Sequence, residues 1–436
     1  MRNFLIGVLI FWIIIVGLII RHECQSVAGS DEIVMSDRVE IVFWHAMGGP
    51  LGRVMEEMIK DYNTGQSKYF VKSVSMGNYN TLSQKILASL VAGRAPDISQ
   101  NFEALTLKFI RHNKIVCLDD LIASETEDIK SDIIPVLLEN NTFDGKLYSF
   151  PFNKSVPVLY YNKDMFAKVG LDPERPPETL DELASFSRII TEYHKNIGQN
   201  HVYGYGLSKA NVWAFLNKII QFGGDIVSED SKKSMFDQEP AINALTFMQN
   251  MLNEGIAKEG QAFDHQNEFI AGSVGIIESS IVSKVYMQDS LRERFNFGVA
   301  PLPGQVRRGA VLSGTNINII NNGSDEKIAG AWDFIKWFTN TENGARWSIG
   351  TTYLPVRISS LNSEAFRQAK ERDPNIEAPY VQLDYCYFEP RISAWAEIRD
   401  LVADHLERAS IEKGPPEEYC RAMKQDADAI LRHATK

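Results

Sequence analysis

The side chains best suited to chemistry here are carboxylates, since 56 of the 436 residues are Asp or Glu. A facing pair could act as acid and base on a glycosidic bond. Glu103 and Glu278 are the foremost candidates for such a pair, although nothing in their spacing singles them out. Other catalytic patterns are missing. The chain has no Gly-x-Ser-x-Gly turn, no His-Glu-x-x-His pair and no Gly-x-x-x-x-Gly-Lys-Ser/Thr phosphate loop. The four cysteines, Cys24, Cys117, Cys386 and Cys420, are scattered and give no zinc-type cluster. They read as isolated buried thiols, with a Cys386–Cys420 bridge left open. Trp44 and His45 stand at a strand end and suit the rim of a cleft; the duller reading has His45 bonding its own loop. Trp332, Trp337 and Phe338 could stack on sugars, but their helical spacing reads as core.

Length and charge bound what these residues can serve. A chain of 436 residues exceeds the roughly 250 that one core usually supports, so at least two lobes are expected. With 44% hydrophobic and 23% charged residues the composition is globular. A net charge of −11 argues against nucleic-acid binding, which needs a basic face. It does not exclude a small anion, because one buried arginine can outweigh a diffuse field.

The N-terminus carries a different signal. Residues 4–20 are apolar or glycine throughout and follow Arg2, a run between the lengths of a secretory h-region and a spanning helix. Three readings fit: an uncleaved membrane anchor, which is preferred, a signal cleaved after Ala28, or a lipid on Cys24. All place the remainder outside the membrane.

Beyond residue 36 the pattern alternates strands and amphipathic helices. Val39–Trp44, Tyr69–Val74 and Asp97–Gln100 read as strands, with helices at Leu51–Tyr62 and Tyr79–Ala92 between them. Such β-loop-α units imply a mainly parallel sheet whose ligand lies beyond the strands' carboxyl ends. Tyr79 and Glu103 fall on those loops. Helices are also expected at Lys163–Val169, at Thr179–Tyr193 behind a Thr-Leu-Asp-Glu capping box, and at Glu326–Thr339. Three stretches read as extended crossings: Tyr148–Asn162, Phe295–Pro303 and Trp347–Pro355.

In order and spacing, Phe43-Trp-His45, Gly77-Asn-Tyr79, Gly93-Arg-Ala-Pro-Asp97, Pro151-Phe-Asn-Lys-Ser155, Pro157-Val-Leu-Tyr-Tyr-Asn-Lys163, Gly170-Leu-Asp-Pro173 and Thr352-Tyr-Leu-Pro355 form one series. From Val39 onward the chain resembles the family 1 extracellular solute-binding proteins of ABC importers, and most of all their glycerol-3-phosphate-binding group. The resemblance implies a type II periplasmic-binding-protein fold: two doubly wound α/β lobes, a central cleft and three hinge crossings. It places lobe 1 at 37–150 with 299–350 and lobe 2 at 151–298 with 351–436, after an N-terminal segment 1–36. It implies a monomer that takes no cofactor, is not an enzyme, and delivers a small phosphorylated polyol or sugar to a membrane permease.

The resemblance also supplies a ligand set: Tyr79, Glu103, Ser155, Ser280, Gly314, Tyr353 and Arg399. Lys154 departs from it, standing where a small polar residue is usual, as do Thr352, in place of glycine, and Leu180, in place of an aromatic. The chemistry of the set is coherent. Arg399 can hold a phosphate with a planar fork of donors, while the serines, Tyr353 and the Gly314 N–H supply neutral ones. Glu103 and Tyr79 would take glycerol-type hydroxyls. Taken alone each residue has a plainer reading: Arg399 a surface ion pair, Gly314 a turn, the serines caps, Tyr79 the edge of a core. Two other functions stay open. An oligosaccharide binder would need several cleft aromatics, and a membrane-anchored sensor would need a signalling partner.

Overall fold

The computed structural model describes residues 37–434. The apolar run 4–20 and Cys24 lie outside them, and among the described residues no helix is long and apolar enough to cross a membrane. The chain opens with strand β1 (Val39–His45), which buries Ile41 and Phe43. Helix α1 (Gly49–Gly65), started by Pro50 in its first turn, leads to β2 (Tyr69–Ser75). Helix α2 (Tyr79–Val91) begins where Asn78 accepts the Thr81 N–H at 2.9 Å, and it leads to β3 (Ile98–Asn101). Both β2 and β3 lie parallel to β1, as the repeating pattern predicts. Helix α3 (Glu103–Arg111) follows at once, so Phe102 and Glu103 stand at the carboxyl end of β3.

The chain then passes from one sheet to another within a few residues. Strand β4 (Phe150–Ser155) belongs to the first sheet, and β5 (Pro157–Asn162) to the second; Val156 between them is fully buried. After α4 (Lys163–Lys168), helix α5 (Leu180–Asn196) starts on Thr179, whose hydroxyl accepts the Glu182 N–H at 3.1 Å. The Glu182 carboxylate returns to the N–H of Glu178, one residue further back than a capping box requires. Strand β6 (Tyr203–Ser208), helix α6 (Val212–Gln221), helix α7 (Glu239–Asn253) and β7 (Ala257–Gly260) continue this half. Helix α8 (Asp264–Ala271), β8 (Val274–Ser280), helix α9 (Ser283–Arg292) and β9 (Phe297–Ala300) complete it.

Strand β10 (Ala310–Ile319) returns to the first sheet, and helices α10 (Asp325–Phe338) and α11 (Thr341–Thr351) pack there against β1 and α1. Strand β11 (Cys386–Phe388) closes that sheet beside β10. Helices α13 (Trp395–Glu412) and α14 (Pro416–Ala434), which follow the short α12 (Glu364–Arg372), share a core with α6 and α7. The sheet orders are β11-β10-β3-β1-β2, with β4 also on β10, and β9-β5-β8-β6-β7. Neither sheet is wholly parallel. Strand β10 runs antiparallel to β3 and β4 but parallel to β11, and β5 runs antiparallel to both β8 and β9.

One expected crossing is different. Residues 347–351 are helical, the last turns of α11, and only the stretch after Thr352 is extended. Gly344, Gly350 and the threonines are weak helix formers. Packing overrides them, because Trp347 stacks on Phe152 at 5.4 Å and meets Phe338 edge-on at 5.4 Å. The helix stops at Thr352, which takes a φ of 59°.

The aromatic run of α10 is core, as its spacing predicts. Trp332 and Phe338 are buried, and Trp337 packs edge-on against Tyr62. Cys386 and Cys420 are free thiols in separate parts of the core, each pushed up to about 12 by burial.

His45 does bond its own loop: its Nδ1 accepts the Met47 N–H at 3.1 Å. The ring is buried, and desolvation lowers its pKa from 6.5 to about 4 against a raising contribution from that bond. The unfolded chain therefore binds a proton near pH 6.5 that the folded chain refuses until about pH 4. Stability from the neutral ring is complete above that window and lost as pH falls through it, by up to about 3 kcal/mol. Urea unfolding of His45→Asn at pH 7 and 4.5 should show a shallower acid loss than the parent; equal losses would place the titration elsewhere.

Candidate functional site

The site grows from the ends of β3, β4 and β10. Asn153 on β4 is fully buried and ties three elements together. Its Nδ2 donates to the Tyr79 hydroxyl at 2.8 Å, and its Oδ1 accepts from Gln100 Nε2 at 3.0 Å and from the Thr315 N–H at 3.2 Å. The Tyr353 phenol lies beside Tyr79 and Asn153, and burial pushes both phenols above the ordinary range. Behind it, the Tyr353 ring stacks on Trp347 at 5.8 Å, so a tyrosine from the last crossing is locked against one from the first lobe's second loop.

Gly314 occupies a tight point on β10, at a φ of 96° and opposite Lys154 on β4. A Cβ there would lie 2.0 Å from the Asn153 carbonyl oxygen. Gly314→Ala should therefore destabilise the fold by more than about 2 kcal/mol, combining the clash with left-side backbone strain. Thermal unfolding checks this; a melting point equal to the parent's would show that β4 yields freely. Next to it, the Ser155 hydroxyl pairs with that of Ser313 at 2.8 Å.

Two ion pairs flank this centre. Lys154 is almost wholly buried, and its Nζ donates to Glu103 Oε1 at 2.7 Å and to Asn140 Oδ1 at 2.8 Å. Burial lowers the lysine's pKa, while the Glu103 carboxylate pulls the other way. Asn316 Nδ2 also donates to Glu103 Oε1, at 3.0 Å, which leaves Oε2 as the oxygen free of protein donors among the described residues. The second pair joins Arg399 Nη1 to Glu389 Oε2 at 3.4 Å. The Arg399 guanidinium also lies over two rings, Phe102 at 5.5 Å and Trp213 at 5.4 Å. Phe102 follows β3 of the first sheet, whereas Trp213 starts α6 of the second half and is 41% exposed. The arginine thus bridges the two halves of the molecule.

Of the seven residues, Tyr79, Glu103, Gly314, Tyr353, Ser155 and Arg399 are linked by shared partners or adjacent strands, with Phe102 touching both Tyr79 and Arg399. Ser280 is linked less directly. Its hydroxyl accepts the Val282 N–H at 3.2 Å, a turn-forming bond, and the next residue's carbonyl accepts from Thr352 beside Tyr353. Glu278 takes no part: Lys218 and Asn217 hold it inside the second half at 2.8 and 2.6 Å. Sequence reasoning missed Phe102, Trp213, Asn153 and Glu389. A Trp in the first turn of a helix after Asn211 is the one signal that could have revealed a member of this group.

A pocket of about 210 Å³ lies elsewhere, between α9, α11 and α12. Ile281 and Thr352 form its wall, so it backs onto the site, and the Lys284–Asp373 ion pair crosses it. It contains none of the seven residues.

Residues 57–377 match the family model for bacterial extracellular solute-binding proteins. The sn-glycerol-3-phosphate-binding periplasmic protein UgpB of Escherichia coli K12 is 25% identical over 416 residues, 91% of this chain and 93% of that one. Among solved structures, UgpB from Mycobacterium tuberculosis in complex with glycerophosphocholine superposes with a TM-score of 0.82 at 24% identity, covering 91% and 99% of the two chains. The cyclic α-maltosyl-1,6-maltose binding protein from Arthrobacter globiformis does so at 0.78 and 23%, covering 91% and 100%. With two mixed α/β sheets, a site at the strand ends where the halves meet, and a family match over most of its length, the chain belongs to the bacterial extracellular solute-binding proteins, the capture subunits of ABC importers.

Proposed function

We propose that the captured solute is glycerol-3-phosphate or a related glycerophosphodiester, gripped between the lobes as they close. The observation that carries this is Arg399, a half-buried guanidinium between Phe102 of one half and Trp213 of the other. A guanidinium there offers a planar fork to phosphate while both lobes contribute a wall, so ligand contacts favour the closed form. Tyr79, Glu103, Ser155, Ser280, Gly314 and Tyr353 are assigned to the glycerol hydroxyls and remaining phosphate oxygens. The relatives named for glycerol-3-phosphate and glycerophosphocholine support the same class.

The protein is read as a monomer that hands its solute to a permease, without catalysis and without nucleic acid. Each candidate carboxylate, Glu103 and Glu278, already carries its own lysine. We place it on the outer side of the cytoplasmic membrane, attached through residues 4–20.

Calorimetric titration with glycerol-3-phosphate, glycerophosphocholine and maltotriose tests the ligand. Binding of a phosphorylated compound, with maltotriose silent, is expected; the reverse would replace this reading. The second reading, an oligosaccharide, rests on the indole of Trp213, which is 41% exposed and offers a face on which a sugar ring can stack.

A further inference from the structure

Glu389 is the one carboxylate of this cluster that the phosphate reading leaves unassigned. It lies in the irregular stretch between β11 and α13, just before Pro390. Its Oε2 accepts from Trp395 Nε1 at 2.7 Å and faces Arg399 at 3.4 Å. Its Oε1 is sealed from solvent and has no hydrogen-bond partner among the described residues. Burial pushes the Glu389 carboxyl's pKa up, and Glu103 adds to this, while the Arg399 charge and the Trp395 and Trp213 indoles favour the carboxylate. A buried acceptor in that state is strongly unfavourable unless a donor reaches it.

Charge points the same way. The two cations of the cluster each have a carboxylate partner, Lys154 with Glu103 and Arg399 with Glu389. A third, Arg391, lies over Phe388 and donates to the main-chain carbonyls of Glu139 and Thr142. A phosphomonoester brings about −1.5 to −2 charges, so it would meet Glu389 as a like charge beside Arg399. A phosphodiester brings one charge, and its second alcohol can carry a donor.

We propose that Glu389 is a specificity-determining residue, which selects a glycerol phosphodiester whose second alcohol bears an O–H or N–H donor and disfavours the free phosphomonoester. The inference rests on the phosphate reading of the site. Arg399 holds the phosphate with the donors that Glu389 does not use, and the alcohol's donor meets Oε1.

Calorimetric titration of the whole protein with glycerophosphoethanolamine and with glycerol-3-phosphate tests it, in the parent and in Glu389→Gln. The parent should prefer the diester by about tenfold, the worth of one hydrogen bond to a charged group. In Glu389→Gln the preference should vanish, mostly through tighter binding of glycerol-3-phosphate. Glu389→Asp, which keeps the charge but withdraws it by one methylene, should narrow the preference without reversing it and serves if the glutamine variant misfolds. A diester-to-monoester ratio unchanged by either substitution overturns this inference and leaves the phosphate reading standing. Failure of the parent to bind either compound while binding maltotriose overturns both.

Discussion

Arg399→Ala should weaken binding of a phosphorylated ligand at least a hundredfold while the protein stays folded. Hydrogen bonds to charged groups contribute about 1.5–3 kcal/mol each, and a bidentate grip supplies two of them. About 3–6 kcal/mol corresponds to a loss between hundredfold and ten-thousandfold. Arg399 lies on α13 with a side chain 20% exposed, so its removal opens no core cavity, and Glu389 keeps the bond from Trp395 Nε1 at 2.7 Å. Arg399→Lys keeps the charge but loses the planar fork and the stacking on Phe102 and Trp213, and it should recover only part of the affinity. Calorimetry checks both variants, with circular dichroism to confirm folding. Affinity within threefold of the parent for the alanine variant would remove Arg399 from the ligand site.

The second large effect concerns stability alone. Lys218 and Glu278 form an ion pair in the second half with side chains only 1% and 7% exposed. Lys218→Met should destabilise the protein by about 3–5 kcal/mol, since it leaves a carboxylate buried without its cation. The double variant Lys218→Met/Glu278→Leu should recover most of that, because a well-packed apolar pair commonly equals a buried ionic one. Urea unfolding measures both. A single variant within about 1 kcal/mol of the parent would mean that water reaches Glu278 when the lysine is gone.

The fold was legible where a local pattern sufficed. Alternation and β-branched residues marked β1 and β2, and Thr179 announced its helix as a cap residue. The order of short motifs marked the architecture and six of the seven candidate residues that the fold links together. What escaped was non-local. Residues 347–351 read as part of an extended crossing ending at Pro355, yet Phe152, nearly two hundred positions earlier, stacks on Trp347 and holds a helix there. Lys154 looked like a departure from a polar position; its partner Glu103 is supplied by another strand end, which no spacing along the chain reports. Glu389 lies in an irregular segment, and its partners Trp395 and Arg399 become neighbours only once α13 has formed.

Strand β10 sits between β3, β4 and β11, so two earlier strands of the first sheet, β3 and β4, wait for residues 310–319. This fixes an order of events during synthesis. The first three hundred residues can leave the ribosome without being able to finish the sheet they begin, and loop closure over that span is slow. For a protein whose family works outside the cytoplasm, that delay is an advantage. Until most of the chain has been made, the strand that joins β3 to β4 is missing.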